Sequence, residues 1–219
     1  MDWEALLPGL TAAQHRSLDS LPAIYKEWNA KVNVVSRQDE DHLMVHHVLH
    51  SLAIARVLRF EPGAKVLDVG TGGGFPALPL AIVFPEVHWL AVDSIGKKIK
   101  VVQDIALQCG IHNLEARQAR AETLDSKFDF VVSRAVARML QLVEWTRHLV
   151  AARSRHALAN GWLVLKGGDP QGSLAQELRE VGFTWQLYPV RNFFDVSFFD
   201  SKFVVHMPYL HRSGHPSTS

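Results

Sequence analysis

The chain has 219 residues, 47% of them hydrophobic, which suits one sizeable α/β domain with an appendage of a few dozen residues. Its formal net charge of +1 gives no compositional case for nucleic-acid binding, so any such surface has to come from local clustering of charge. The single cysteine, Cys109, excludes an internal disulfide framework, and the longest apolar stretch, Leu78–Phe84, is broken by Pro79 and too short to span a bilayer. The first residues, Met1-Asp2-Trp3-Glu4, carry acids and lead into no apolar run of signal-peptide length, so a cytoplasmic protein without a membrane partner is expected.

Residues 1–60 read as a helical region. Thr11-Ala12-Ala13-Gln14 has capping-box spacing. A second helix is expected from Leu21 to Ala30, with Pro22 in its first turn. A third follows the acidic run Asp39-Glu40-Asp41, and in it Leu49, Leu52, Ala53 and Val57 share one face. At Glu61-Pro62-Gly63 the pattern changes to strands alternating with amphipathic segments. Strands are expected at Lys65–Val69, His88–Val92, Leu114–Arg117, Phe128–Val132 and Trp162–Leu165. Helices are expected near 76–84, 96–109, 137–151 and 172–181, with Gly110 placed as a C-cap glycine. Thr184–Val190 and Phe198–Met207 follow with no helix between them, as an antiparallel pair closing one sheet edge. The expected fold is therefore α/β, a mostly parallel seven-stranded sheet with an antiparallel last strand and an N-terminal helical extension. The sheet domain is assigned to 61–208, and the polar residues 209–219 are expected to be a disordered tail.

The most informative segment is Val66-Leu67-Asp68-Val69-Gly70-Thr71-Gly72-Gly73-Gly74-Phe75-Pro76, an apolar strand that ends in a glycine cluster just before a helix. Such a turn brings the backbone close to a ligand at the carboxyl end of the sheet. In the dinucleotide fingerprint Gly70 and Gly72 are in place, but Phe75 stands where the third glycine belongs; a register starting at Gly72 ends at Ala77, an allowed variant. Two features favour a phosphate-free cofactor. Asp68 puts a carboxylate near the loop, where it can organise the loop close to a cationic ligand, and Phe75-Pro76 puts bulk where a pyrophosphate needs open N–H groups. Asp93, 21 residues after Gly72, can accept from both hydroxyls of a ribose in either kind of cofactor, or cap the helix that follows. Arg120-Ala121-Glu122 follows the next strand, where an N–H of Ala121 and the Glu122 carboxylate can meet an adenine edge.

At these residues the chain resembles the ribosomal RNA small-subunit methyltransferase G family. The resemblance is carried by the glycine segment, by Val92-Asp93-Ser94-Ile95-Gly96-Lys97-Lys98, Arg120-Ala121-Glu122, Ser133-Arg134-Ala135-Val136 and Leu165-Lys166-Gly167. Tyr25, Trp28-Asn29 and Asn33 extend it upstream, so that it spans about residues 20 to 207. It implies a Rossmann-like class I methyltransferase that uses S-adenosylmethionine to methylate N7 of a guanine in 16S ribosomal RNA, free or in the small ribosomal subunit. Carried over, the cofactor contacts fall on Gly70, Phe75, Ala121, Glu122 and Arg134, beside Gly72 and Asp93 from the residues themselves. Three positions depart from the family pattern: His50 stands where an Asp is usual, and Lys202 and Met207 replace basic residues often found there.

The implied chemistry agrees with what the chain lacks. Guanine N7 offers an exposed lone pair, so the task is alignment, and no catalytic base is assigned. No Asn-Pro-Pro-Tyr-type motif follows the fourth strand, and Cys109 reads as a core thiol. For substrate RNA the candidates are His47, Lys97, Arg120 and Lys166, the last two expected at the carboxyl edge of the sheet. His42, His46 and His50 are four apart, yet no carboxylate or cysteine cluster completes a metal site, and none is assigned. A monomer is expected. The competing readings are a small-molecule methyltransferase, a nicotinamide-dependent oxidoreductase and a non-catalytic RNA-binding protein.

Overall fold

The computed structural model describes residues 1–36, 38–134 and 136–209. The expected tail therefore lies, apart from Tyr209, outside the described residues. Seven strands, β1 (Lys65–Val69), β2 (His88–Asp93), β3 (Leu114–Gln118), β4 (Phe130–Arg134), β5 (Gly161–Gly167), β6 (Gln186–Pro189) and β7 (Lys202–Pro208), form one sheet. Their order is β3-β2-β1-β4-β5-β7-β6, with β1 to β5 parallel and β7 antiparallel to both β5 and β6. The expected mixed sheet is thus present. The order reverses between β1 and β4, the switch point where doubly wound sheets open a crevice beyond their carboxyl ends.

The strand pleat sorts side chains onto two cores. Val66, Phe130, Val132, Leu163, Leu165 and Val204 belong to one apolar cluster, while Leu67, Val69, Val131, Trp162, Val164 and Val205 belong to the other. This is the period-two alternation of a sheet covered on both faces. The first face carries α2 (Ala12–Asn29), α3 (His50–Val57), α4 (Ala77–Val83) and α5 (Gly96–Gln108); the second carries α6 (Met139–Thr146) and α7 (Ser173–Arg179). A short α1 (Trp3–Leu6) precedes them.

Several boundaries differ from expectation. The two first helices are one: α2 begins at Ala12 behind the N-cap Thr11, whose side chain makes the expected capping box with Gln14, and runs through Pro22 in its interior. The buried stripe Leu18, Leu21, Tyr25 continues across the proline, so burial of that face outweighs the missing N–H. The third helix opens with a π-helical run, Met44–Leu49, before α3. Strand β4 lies two residues later than expected, which puts Ser133 and Arg134 inside the strand; Phe128 makes only an isolated bridge to Val150. Helix α6 stops at Thr146 and passes into a tight turn, Arg147–Leu149. Phe198, expected in the last strand, sits in a turn, Ser197–Phe199, ahead of β7.

Helix α6 is locked to β5 by a buried relay. The Trp162 indole N–H donates to Thr146 Oγ1 at 2.8 Å, and that hydroxyl donates to the Leu142 carbonyl at 2.6 Å. Both residues are fully buried. Thr146→Val keeps the shape but strands the indole N–H, and should cost about 1–3 kcal/mol. Urea unfolding checks this: the midpoint should fall while the slope stays unchanged.

Candidate active site

The glycine turn after β1 opens into a cleft of about 690 Å³, within the range of small-molecule sites. Gly70 has φ of +65°, and a Cβ there would lie 2.3 Å from Val136 Cγ2, so the turn requires glycine. Gly72 also has positive φ, and a Cβ there would meet nothing nearer than the Gly70 carbonyl at 3.9 Å, leaving its surface open to the cleft. Asp93 ends β2 at the cleft wall. Its Oδ2 accepts from Gly72 N at 3.0 Å and its Oδ1 from Ile95 N at 2.9 Å. The N-cap of α5 is Ile95, so Asp93 is not the helix cap; its carboxylate ties the glycine turn to the start of α5. Ala121 and Glu122 lie in a tight turn after β3 and, with Arg120, line the far wall.

Asp68 lies elsewhere than the sequence suggested. It is fully buried, does not line the cleft, and accepts from Ala77 N, the first residue of α4, at 3.1 Å. The other N–H groups around the start of α4 are also occupied: Gly74 N and Phe75 N donate to the Thr71 carbonyl and Leu78 N to the Gly74 carbonyl. Pro76, the N-cap, has none to give. The N–H groups of Gly72, Gly74, Phe75, Ala77 and Leu78, among those with which this kind of fold cradles a pyrophosphate, are consumed internally.

Opposite the turn of Ala121 and Glu122, the N-terminal helices close over the sheet through Arg134. Its Nη1 donates to the His46 carbonyl at 3.0 Å, and its Nη2 lies 2.7 Å from His47 Nδ1. The guanidinium also sits 5.1 Å from the centre of the Phe75 ring. Since an arginine can only donate, His47 Nδ1 accepts and the ring is neutral. Phe75 stacks on Tyr25 at 4.9 Å, and the Tyr25 hydroxyl donates to the Gly73 carbonyl. A ring column completes this side: His42 on His46 at 4.8 Å and His46 on Phe198 at 3.7 Å, with Lys202 Nζ 5.3 Å from the Phe198 ring. Asp39 Oδ1 holds His46 Nδ1 at 2.7 Å. The four-residue histidine spacing thus serves ring stacking, and among the described residues no group of three His, Cys, Asp or Glu side chains is placed to hold a metal.

Of the positions named from sequence, Gly70, Gly72, Phe75, Asp93, Ala121, Glu122, Arg134, His47, Arg120 and Lys166 all border this one cleft. Lys97 does not; it is exposed, and its neighbour Lys98 lines the cleft instead. Lys166 borders the cleft, but its Nζ bonds Glu177 Oε1 at 2.6 Å and the Ala137 carbonyl at 2.9 Å, turned towards α7. Its charge is spent on holding the segment after β4. Arg120 is largely exposed and 3.9 Å from Glu122. Sequence reasoning missed Phe198, Trp145 and Val34 as lining residues, since their approach to the cleft depends on turns and helix placement with no local signature. His50 is buried in the same cleft, and Lys202 lines it; Met207 is buried in the core on the other face of the sheet.

Burial, aided by the Arg134 cation, pushes His47 and His50 down to about 3 from the ordinary 6.5. Burial pushes Asp68 up to about 7 from 3.8, against the Thr71 hydroxyl and the Ala77 N–H, which favour its anion. The unfolded histidines take up protons below 6.5 and the folded ones do not until about 3, so their contribution to stability is complete above 6.5 and is lost towards 3. Asp68 acts in the opposite sense: its contribution is full below 3.8 and is lost as the pH rises through about 7. With two groups against one, the melting temperature should peak near neutrality and fall on acidification to about pH 5. Calorimetry across that range is the check, and a melting temperature that rises towards acid would contradict the assignment.

Comparison with known proteins bears on the same residues. The family model described as rRNA small subunit methyltransferase G matches residues 14–188. A protein of that name from Flavobacterium johnsoniae is 47% identical over 201 residues, covering 92% of this chain and 94% of its own. One from Porphyromonas gingivalis is 45% identical over 206 residues, covering 94% and 91%. Among solved structures, a SAM dependent methyltransferase from Aquifex aeolicus superposes with a TM-score of 0.55 at 16% identity, covering 85% of this chain and 97% of that one, a likeness of fold. Together, the matched model and these relatives show that the chain belongs to the rRNA small subunit methyltransferase G family.

Proposed function

We propose that this chain transfers a methyl group from S-adenosylmethionine to N7 of a guanine in 16S ribosomal RNA, acting as a monomer on the RNA or the small ribosomal subunit in the cytoplasm. The observation that carries the choice of cofactor is the occupied start of α4, where Ala77 N–H is taken by Asp68 and its neighbours by backbone carbonyls. A dinucleotide needs those donors for its phosphates; S-adenosylmethionine has no phosphate. Among the described residues no helix is long and apolar enough to cross a membrane.

In this reading the region of residues 61–208 binds the cofactor and residues 1–60 close over the substrate. The Asp93 carboxylate keeps lone pairs for the ribose hydroxyls beyond those used by Gly72 and Ile95. Ala121 N–H and the Glu122 carboxylate read the adenine edge. Gly70 and Gly72 let the backbone approach, and Phe75 and Arg134 bound the methionine end, where the remaining guanidinium N–H groups meet its carboxylate. The cofactor supplies an electrophilic methyl on a sulfonium. Guanine N7 attacks with a lone pair it already exposes, so no residue has to remove a proton. The chain's work is to align N7 with the methyl and exclude water. Arg120 and Lys98, at the cleft wall, supply positive charge for the RNA backbone.

Purified protein given labelled S-adenosylmethionine should label small subunits that lack the modification, at one guanine whose glycosidic bond becomes labile to borohydride and aniline. Label found only on a small metabolite would replace this reading with a small-molecule methyltransferase, and saturable binding of a nicotinamide dinucleotide instead of S-adenosylmethionine would overturn the cofactor assignment. Arg134→Ala should weaken cofactor binding about tenfold or more by calorimetry, the scale of a lost charge-assisted hydrogen bond. Unchanged affinity would remove Arg134 from the cofactor wall.

A further inference from the structure

The cleft is larger than its cofactor wall, and its second half is furnished differently. His50 is 6% exposed, lines the cleft, and has a buried Nε2 without a hydrogen-bond partner. The His46 backbone also acts on this ring, and in the tautomer with its proton on Nδ1 the partnerless Nε2 is a lone-pair acceptor. The ring stands edge-on to Phe198 at 6.1 Å. One face of Phe198 is taken by His46; Lys202 Nζ sits 5.3 Å from the ring centre and is among the cations that depress the His50 imidazole. An ammonium over an aromatic ring, beside a buried acceptor, occupies the space of a planar ligand that carries an N–H donor on its edge.

We propose, resting on the function above, that the target guanine enters this half of the cleft, stacks on Phe198 in place of the Lys202 ammonium, and donates its N1–H to His50 Nε2. Displaced from the ring, Lys202 becomes a donor for the guanine O6 or for the flanking phosphate. Guanine and adenine are told apart by polarity. Guanine carries an acceptor O6 next to a donor N1–H, whereas adenine carries a donor N6 next to an acceptor N1, which would set two lone pairs against each other at His50. Both bases have an N7 lone pair, so alignment alone does not distinguish them; an acceptor that meets position 1 does. Extrusion of a base into such a pocket is the ordinary route by which enzymes reach a base atom in structured nucleic acid.

The test uses the whole chain saturated with S-adenosylhomocysteine, and follows the Hε1 resonance of His50, assigned by its loss in His50→Gln, as guanosine, inosine and adenosine monophosphates are added. Guanosine and inosine nucleotides, which share N1–H, should shift it and bind with similar affinity; the adenosine nucleotide should bind about tenfold or more weakly. His50→Phe should abolish that preference, His50→Gln should restore part of it through its amide oxygen, and Phe198→Leu should weaken all three nucleotides about equally. A guanosine preference that survives His50→Phe, or a wild-type protein that binds adenosine and guanosine nucleotides alike, overturns the proposal. So does failure of the inosine nucleotide to bind. If His50→Phe does not fold, as judged by its melting curve, the Phe198→Leu and His50→Gln titrations decide the matter in the same way. The nucleotide pattern found without RNA methylation would sink the proposed function and leave this pocket standing. RNA methylation without the nucleotide pattern would do the reverse.

Discussion

The structure depends on where one guanidinium goes. Arg134 leaves the last position of β4 and reaches the π-helical run Met44–Leu49, giving one N–H to the His46 carbonyl and another to the His47 ring, with Phe75 against its face. Burial lowers its pKa, opposed by Asp68, Tyr25 and Asp39, all of which favour the cation. A planar donor set of this kind fixes direction as well as distance, which a lysine would not. Through it the N-terminal helices and β4 share one set of hydrogen bonds, with Phe75 of the glycine segment against the same guanidinium, so both sides of the cleft are assembled on one cation.

The start of α4 shows how a common architecture is turned away from its commonest ligand. The glycine-rich turn, the switch point and the acid after β2 would serve any adenosine cofactor. Asp68 changes that outcome from behind: buried on the α4 face of the sheet, it takes the helix's first N–H, while backbone carbonyls take those of Gly74, Phe75 and Leu78. The carboxylate acts on ligand choice by consuming a backbone donor, with no part in the cleft wall itself.

The π-helical run carries the other half of the site. Its wider turn sets His46 against Phe198 and His47 against Arg134, while His50 at the start of α3 faces the same cleft. Such turns are uncommon and recur at functional sites, because they re-aim side chains that a regular helix would spread around its surface. Two imidazoles held neutral, His50 buried and His47 half-buried, give this wall hydrogen-bonding capacity without adding charge beside Arg134.

Much of this was legible in the chain. The alternation of apolar runs, the glycine turn and Asp93 are local signals, set by pleat, backbone freedom and the position of an acid at a strand end, so the first three strands, their order of appearance and much of the cleft wall beside them could be read from residues 65 to 122. The pleat even held the difference between Arg134 and Lys166. Counted in twos along β4 and β5, Arg134 shares a face with Phe130 and Val132, and Lys166 with Trp162 and Val164, so one cation meets the N-terminal helices and the other meets Glu177 of α7. Tertiary packing decided the rest. It merged two helices across Pro22 by burying a stripe that runs through it, drew β4 two residues onward, released Phe198 from the last strand, and left Lys97 outside while turning Lys98 inward. Those outcomes follow from which surfaces meet, and contacts between residues far apart in the chain leave no periodicity for a local pattern to record.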